Sequence, residues 1–121
     1  MRKVISVDRK RLPTEQDEAV IVNRWHPDIP MIAEVKPGES FRVECFDWTG
    51  GQINNDDSAN DIRDVNLAPC HHLSGPVGVT GAEPGDIIVV DILDIGVFDD
   101  ERWGYTGIFS KEKFGGFLTD Y

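Results

Sequence analysis

Two histidines, His71 and His72, stand directly before Leu73-Ser74-Gly75-Pro76-Val77, and Gly81-Ala82-Glu83-Pro84-Gly85-Asp86 comes a few residues later. Upstream lies an acid-rich, amide-rich stretch, Asp47-Trp48-Thr49-Gly50-Gly51-Gln52-Ile53-Asn54-Asn55-Asp56-Asp57-Ser58. A neutral imidazole near a carboxylate can orient water, act as a general base or bind a metal ion. His71 beside Asp47, Asp56 or Asp57 is such a pairing. Neighbouring residues on a strand point to opposite faces, so only one of His71 and His72 faces a given site. Glu83 occupies a turn, where Asp or Asn is the commoner choice, and its longer arm suits a further task. His26 is held in the stiff loop Asn23-Arg24-Trp25-His26-Pro27-Asp28-Ile29-Pro30, because each proline restricts itself and its predecessor. For every one of these histidines, a solvated or simply packed ring is the competing reading.

Such side chains need rigid elements to hold them. Val20 to Val22 and Met31 to Val35 read as strands. Lys36-Pro37-Gly38-Glu39 is a turn with proline in a favoured position. Phe41, Val43 and Cys45 then alternate with Arg42 and Glu44, the period of a half-buried strand. Asp47 falls on the same face at its end, where a carboxylate must be hydrogen-bonded, paired or metal-bound. The design recurs: Pro84-Gly85-Asp86 introduces Ile87-Ile88-Val89-Val90-Asp91-Ile92-Leu93-Asp94, which reads as a buried strand. Two equivalent strands, each carrying an aspartate to its far end, are one reading; a common strand-starting turn is the other. Residues 60–65 suit a single helical turn. The first eighteen residues read as polar and charged, with Leu12-Pro13-Thr14 resembling a loop. The expected fold is therefore all-β, mainly antiparallel sandwich-like or barrel-like sheets with long loops and little helix. The long loop after Asp47 is expected to be ordered, because it carries Trp48, Ile53 and Val65.

Composition narrows the function. The 121 residues form about one domain and are 40% hydrophobic, enough for a core. Acids outnumber bases 22 to 12, and the net charge of −10 argues against a nucleic-acid partner, which would demand basic patches. No apolar run approaches the roughly 20 residues of a membrane span. Val4-Ile5-Ser6-Val7 is too short for a signal-peptide core and Asp8 ends it, so a cytoplasmic protein is expected. Cys45 and Cys70 are too few for a disulfide scaffold and read as small buried apolar side chains. The chain has no nucleophilic-serine elbow, phosphate loop, dinucleotide fingerprint or metalloprotease helix. Its last residues, Lys113-Phe114-Gly115-Gly116-Phe117-Leu118-Thr119-Asp120-Tyr121, are apolar and glycine-rich, as in a segment that docks against a partner.

Taken in order, five motifs resemble the acetamidase/formamidase family, nearest its formamidase branch. They are Asn23 to Pro30, Asp47 to Ile53, His71 with Leu73-Ser74-Gly75-Pro76, Gly81 to Asp86, and Gly115-Gly116-Phe117-Leu118-Thr119-Asp120. Each is weak alone; together they span nearly the whole chain. The resemblance implies a β-rich, homo-oligomeric enzyme that hydrolyses formamide or another short amide to carboxylate and ammonia. Family members are much longer, so residues 1–121 correspond to the N-terminal β-rich part of a larger catalytic unit. Activity is expected only with the C-terminal part, as a companion chain or in continuity. His72 stands where the family pattern calls for an aromatic residue, which favours His71.

Amide hydrolysis needs an activated water or nucleophile, a stabiliser for the oxyanion and a proton for the leaving nitrogen. The expected catalytic residues are Glu83 as proton shuttle, with His71 and Asp47 as ligands or orienters. Trp48, Gln52, Asn54 and His26 are the expected substrate-binding groups. A divalent ion such as zinc, held by Asp47, Asp56 and His71, would suit mixed Asp/His ligation; a metal-free Glu/His site is the alternative. No organic cofactor is expected. The rival class is a non-catalytic β-domain that supports assembly.

Overall fold

Three short strand pairs organise the chain in the computed structural model, which describes residues 1–16, 20–113 and 115. Strand β1 (Arg2–Ile5) pairs in parallel with β4 (Phe41–Val43). β2 (Ile21–Val22) runs antiparallel to β5 (Leu73–Ser74). β3 (Ala33–Val35) runs parallel to β6 (Val77–Val79). One short helix, α1 (Asn60–Asp64), and two single 3₁₀ turns, Pro13–Glu15 and Lys111–Lys113, complete the elements. The all-β class and the helical turn at 60–65 hold. The expected antiparallel bias does not: two of the three pairs are parallel. Long connections separate β1 from β4 and β3 from β6, and only such crossovers can bring strands together in parallel.

Strand β1 is a second departure. The start of the chain reads only as polar and charged, with no strand expected there, yet Arg2–Ile5 is a strand and Ile5 is among the most deeply buried residues. Arg2 closes the contact at the edge: its guanidinium donates to Glu39 Oε1 and to the Glu34 carbonyl, each at 2.7 Å. Ile5, Val35, Ile53 and Val65 form the buried apolar core, and Thr49 is buried as deeply. Truncating one such fully buried aliphatic side chain costs about 2–5 kcal/mol.

The alternation expected over Phe41–Cys45 stops at Val43. A bulge between Lys3 and Ile5 shifts the β1–β4 register. Beyond it Glu44 turns inward and Cys45 is exposed, which corrects the expectation that Cys45 is buried. Charge decides this reversal. The Glu44 carboxylate pairs with the Lys3 ammonium and accepts from the Val7 N–H at 3.2 Å. Burial pushes the Glu44 carboxyl up, but Lys3 and the Val7 N–H together outweigh burial and leave it below the ordinary glutamate range. A carboxylate depressed in the folded state stabilises fully above its unfolded value. That stability is lost as pH falls below about 4.3 and through the folded value. Urea midpoints measured from pH 6 to pH 3 should therefore drop with acid for the natural chain. Glu44→Gln should flatten that limb; an unchanged acid limb would remove Glu44 as its source.

The Lys36–Glu39 turn forms as its residues dictate. Glu39 N–H donates to the Lys36 carbonyl at 3.0 Å, Gly38 takes φ +77°, and Lys36 N–H donates to Glu39 Oε2 at 3.0 Å. The second Pro-Gly-acid turn closes in the same way. Asp86 N–H donates to the Glu83 carbonyl at 3.0 Å, Glu83 N–H donates to Asp86 Oδ2 at 2.8 Å, and Gly85 takes φ +104°. The two turns lead into different structure. Residues 87–94 belong to no strand, and Ile87, Ile88, Val89, Val90, Ile92 and Leu93 are all exposed, contrary to the buried strand expected there. Among the described residues no helix is long and apolar enough to cross a membrane.

Candidate functional site

Asp47 organises the loop that begins with it. Its Oδ1 accepts from the Thr49 N–H at 2.8 Å and the Thr49 hydroxyl at 2.5 Å; its Oδ2 accepts from the Gly51 N–H at 2.6 Å. Gly50 N–H donates to the Asp47 carbonyl at 2.9 Å. Gly50 and Gly51 take φ of +75° and +86°, the left-handed backbone this tight reversal requires. The carboxylate is thus hydrogen-bonded, one of the outcomes its position allowed, and its role is to hold Trp48 and Thr49 in place.

The segment Cys70–His72 is strapped onto this loop. His72 N–H donates to the Trp48 carbonyl at 3.1 Å. The His71 ring lies 4.9 Å from the Trp48 ring at a tilt of 43°. Phe109 also meets Trp48, edge-on, at 5.5 Å. His72 instead turns towards Gly50, where an added Cβ would come within 2.5 Å of its Nε2. The two histidines therefore face different surroundings, and His71 is the one whose ring packs on Trp48.

Gln52 ties the assembly together. Its Nε2 donates to the Thr49 and Asn66 carbonyls at 3.0 and 2.9 Å, and its Oε1 accepts from the Asn66 N–H at 2.8 Å. Asn54 is held by Asp61, whose Oδ2 accepts from both the backbone N–H and the side-chain amide of Asn54, at 2.9 and 2.8 Å. Asp56 accepts from the Ser58 N–H at 3.1 Å, closing its own small turn. These side chains spend their polar groups on the loop itself, Gln52, Asp56 and Asp61 on its backbone and Asn54 on Asp61, which accounts for the order of residues 47–66.

Among the described residues, His26 and Glu83 make no hydrogen bond, ion pair or ring contact with this assembly. His26 accepts from the Asp28 N–H at 3.2 Å through Nδ1, inside its own exposed loop, and the neighbouring Trp25 is 90% exposed. The Glu83 side chain is exposed, and no hydrogen bond, ion pair or ring contact joins it to Asp47 or His71 among the described residues. Among those residues no group of three His, Cys, Asp or Glu side chains could hold a metal ion. Asp47, Asp56 and His71 thus form no such group among the described residues.

Tyr105 is a site residue that residue types did not reveal. The aromatic stretch 103–109 returns to the Asp47 loop, where Tyr105 faces the charge of Asp47. Burial first, then that charge, push the Tyr105 phenol up, against the opposite influence of the Trp48 and Thr49 side chains. Burial and Asp47 likewise push the Cys70 thiol up. Gly107 lets the stretch lie close to α1: an added Cβ would sit 3.1 Å from Ile62 Cδ1. The only signal for Tyr105 was a run of aromatics with no partner. The Gly115–Asp120 motif falls almost wholly outside the described residues.

The site thus consists of an aromatic cluster (Trp48, His71, Tyr105, Phe109) around a hydrogen-bonded acid, with Glu83 exposed on a separate rigid turn. Proteins of known kind share this chain's sequence and fold. The model of the Acetamidase/Formamidase family matches residues 6–121. A formamidase from Methylophilus methylotrophus is 64% identical over 121 residues, covering 100% of this chain and 30% of that protein. An acetamidase from Mycolicibacterium smegmatis is 60% identical, covering 98% of this chain and 30% of its own length. Among solved structures, a gamma lactamase from Delftia acidovorans superposes with a TM-score of 0.92 at 56% identity, covering 100% of this chain and 29% of that one. The chain spans about 30% of the length of the curated relatives it matches.

Proposed function

This chain belongs to the acetamidase/formamidase family, and from that premise we propose that it supplies the N-terminal part of an amidase acting on formamide or another short aliphatic amide. The products are the carboxylate and ammonia. The observation that carries the reading is the unbroken match of all 121 residues to a protein named formamidase at 64% identity. That match takes in the Asp47 loop and the Glu83 turn. Because the chain spans 30% of that protein, activity is assigned to the assembled unit and not to this part alone. A homo-oligomeric, cytoplasmic enzyme belongs to the same proposal.

The chemistry rests on what each group is free to do. The Asp47 oxygens are engaged by Thr49 and Gly51, so Asp47 is a positioning residue. Trp48 and His71 form a rigid aromatic surface against which a small amide can be oriented. A reactant this small brings little remote binding energy, so rate must come from positioning. The Glu83 carboxylate is exposed, on a turn fixed by Pro84, Gly85 and Asp86. In the assembled unit it takes a proton from water as the water oxygen bonds to the amide carbon. It returns that proton to nitrogen as the carbon–nitrogen bond breaks and ammonia leaves.

The test joins this chain, in frame, to the remaining part of the Methylophilus methylotrophus formamidase. Ammonia release from formamide and acetamide is then compared for the joined protein and for residues 1–121 alone. The joined protein should turn over at least one of the two amides, and the isolated chain should release none above background. A folded joined protein inert towards both would overturn the amidase reading and leave the assembly-module reading in its place.

A further inference from the structure

We infer that residues 87–94 are a docking strand, buried on both faces in the assembled unit by the polypeptide that relatives carry beyond the matched region. The inference rests on the reading of this chain as one part of a longer family unit, and it names the segment through which that part is completed.

Four observations converge on it. The turns at Lys36–Glu39 and Glu83–Asp86 share one design, down to the acid that reaches back to the first N–H of its turn. The first launches β4, which pairs with β1; the second launches a segment with no strand partner among the described residues. Residues 87–90 of that segment are apolar on both parities, and after Asp91 so are Ile92 and Leu93, with Asp94 at the far end. Ile87 and Val89 are 91% and 82% exposed on one, and Val90 and Ile92 are 71% and 72% exposed on the other. A strand with one wet face alternates apolar and polar residues, whereas a continuous β-branched run marks a strand covered on both faces. The whole chain exposes 9606 Å², against about 6,500 Å² for a folded monomer of this mass. The surplus of about 3,000 Å² is on the scale of obligate interfaces.

The occupant is the family's own remaining polypeptide, for reasons of length and chemistry. Relatives that match this chain throughout are more than three times as long, so chain enough to supply strands and a cover lies outside it. An unpaired strand edge is completed by main-chain hydrogen bonds from another strand. Leaving it open would invite aggregation.

Amide hydrogen exchange decides the matter. Residues 1–121 are measured alone, with the remaining part of the Methylophilus methylotrophus formamidase as a second polypeptide, and as one joined chain. Exchange at Ile87 to Leu93 should slow at least 100-fold in the completed unit, at consecutive amides and not at alternate ones. Ile88→Glu and Val89→Glu, on opposite faces, should each lower capture of the second polypeptide at least tenfold. Leu12→Glu, at an exposed apolar site elsewhere, should not. Unchanged exchange in the joined chain would overturn the inference, as would sensitivity of one face only. A dimer of the isolated chain with the segment already protected would do so too, since a second copy would then be the occupant. Ammonia release is scored separately. Protection without hydrolysis sinks the amidase reading alone; hydrolysis with unprotected amides sinks the docking strand alone.

Discussion

In the completed enzyme, Glu83→Gln should lower the rate of ammonia release from formamide by about 10²–10⁴-fold, the range of a general acid–base group. The substitution keeps the shape and hydrogen-bonding reach of the side chain and removes its ability to accept a proton. It should leave the turn intact, because the turn is closed by the Glu83 backbone and the Asp86 carboxylate and not by the Glu83 side chain. Thermal unfolding of the variant should therefore match that of the natural protein, separating lost chemistry from lost structure. Glu83→Asp should recover part of the rate, because a shorter acid still carries a proton but reaches less far. Near-normal turnover by Glu83→Gln would take Glu83 out of the mechanism. The shuttle would then have to come from the rest of the unit.

How far this site could be read from residue types depends on the range of the interactions. Local chemistry was legible. Pro37-Gly38 and Pro84-Gly85 demand turns and make them, and the Asp47-to-Gly51 run carries an acid, a hydroxyl and two glycines in the order a tight reversal uses. The family resemblance rested on those same short motifs, which is why it holds. Polar side chains were harder to interpret. Gln52 and Asn54 look like substrate ligands in sequence, yet loops must satisfy their own polar groups: the Gln52 amide partners loop backbone, and the Asn54 amide donates to the Asp61 carboxylate. Long-range features were not legible at all. The pairing of β1 with β4 overrides the polar look of the first residues. A Lys3–Glu44 pair reverses the inside and outside of the residues after Val43. Tyr105 reaches the Asp47 loop only through tertiary folding. Residues 87–94 show the converse: their pattern asks for two covered faces, and nothing among the described residues covers them.

Gly50→Ala should be the most damaging glycine-to-alanine change among the described residues, destabilising the chain by about 2–5 kcal/mol. Two independent costs add. The left-handed backbone at φ +75° costs a residue with a Cβ about 1–2 kcal/mol. The new methyl would then stand 2.5 Å from His72 Nε2 and 2.9 Å from Pro13 Cγ, and overpacking of this kind costs about 1–3 kcal/mol more. The His72 ring can rotate away, but the Pro13 ring is buried and closed on itself. Gly51 supplies the control. Its φ is +86° and a Cβ there meets nothing within 4 Å, so Gly51→Ala should show the backbone cost alone. Urea unfolding of the two variants therefore isolates the contact, and equal midpoints would show that His72 and Pro13 do not crowd Gly50. The effect should carry into the site. Gly50 N–H holds the Asp47 carbonyl, and His72 N–H holds the Trp48 carbonyl. Displacing the reversal from the buried Pro13 ring therefore disturbs the Gly50 N–H bond to the Asp47 carbonyl beside Trp48, and the completed enzyme should lose turnover as well as stability. Gly51→Ala, which leaves His72 where it is, should lose much less of either.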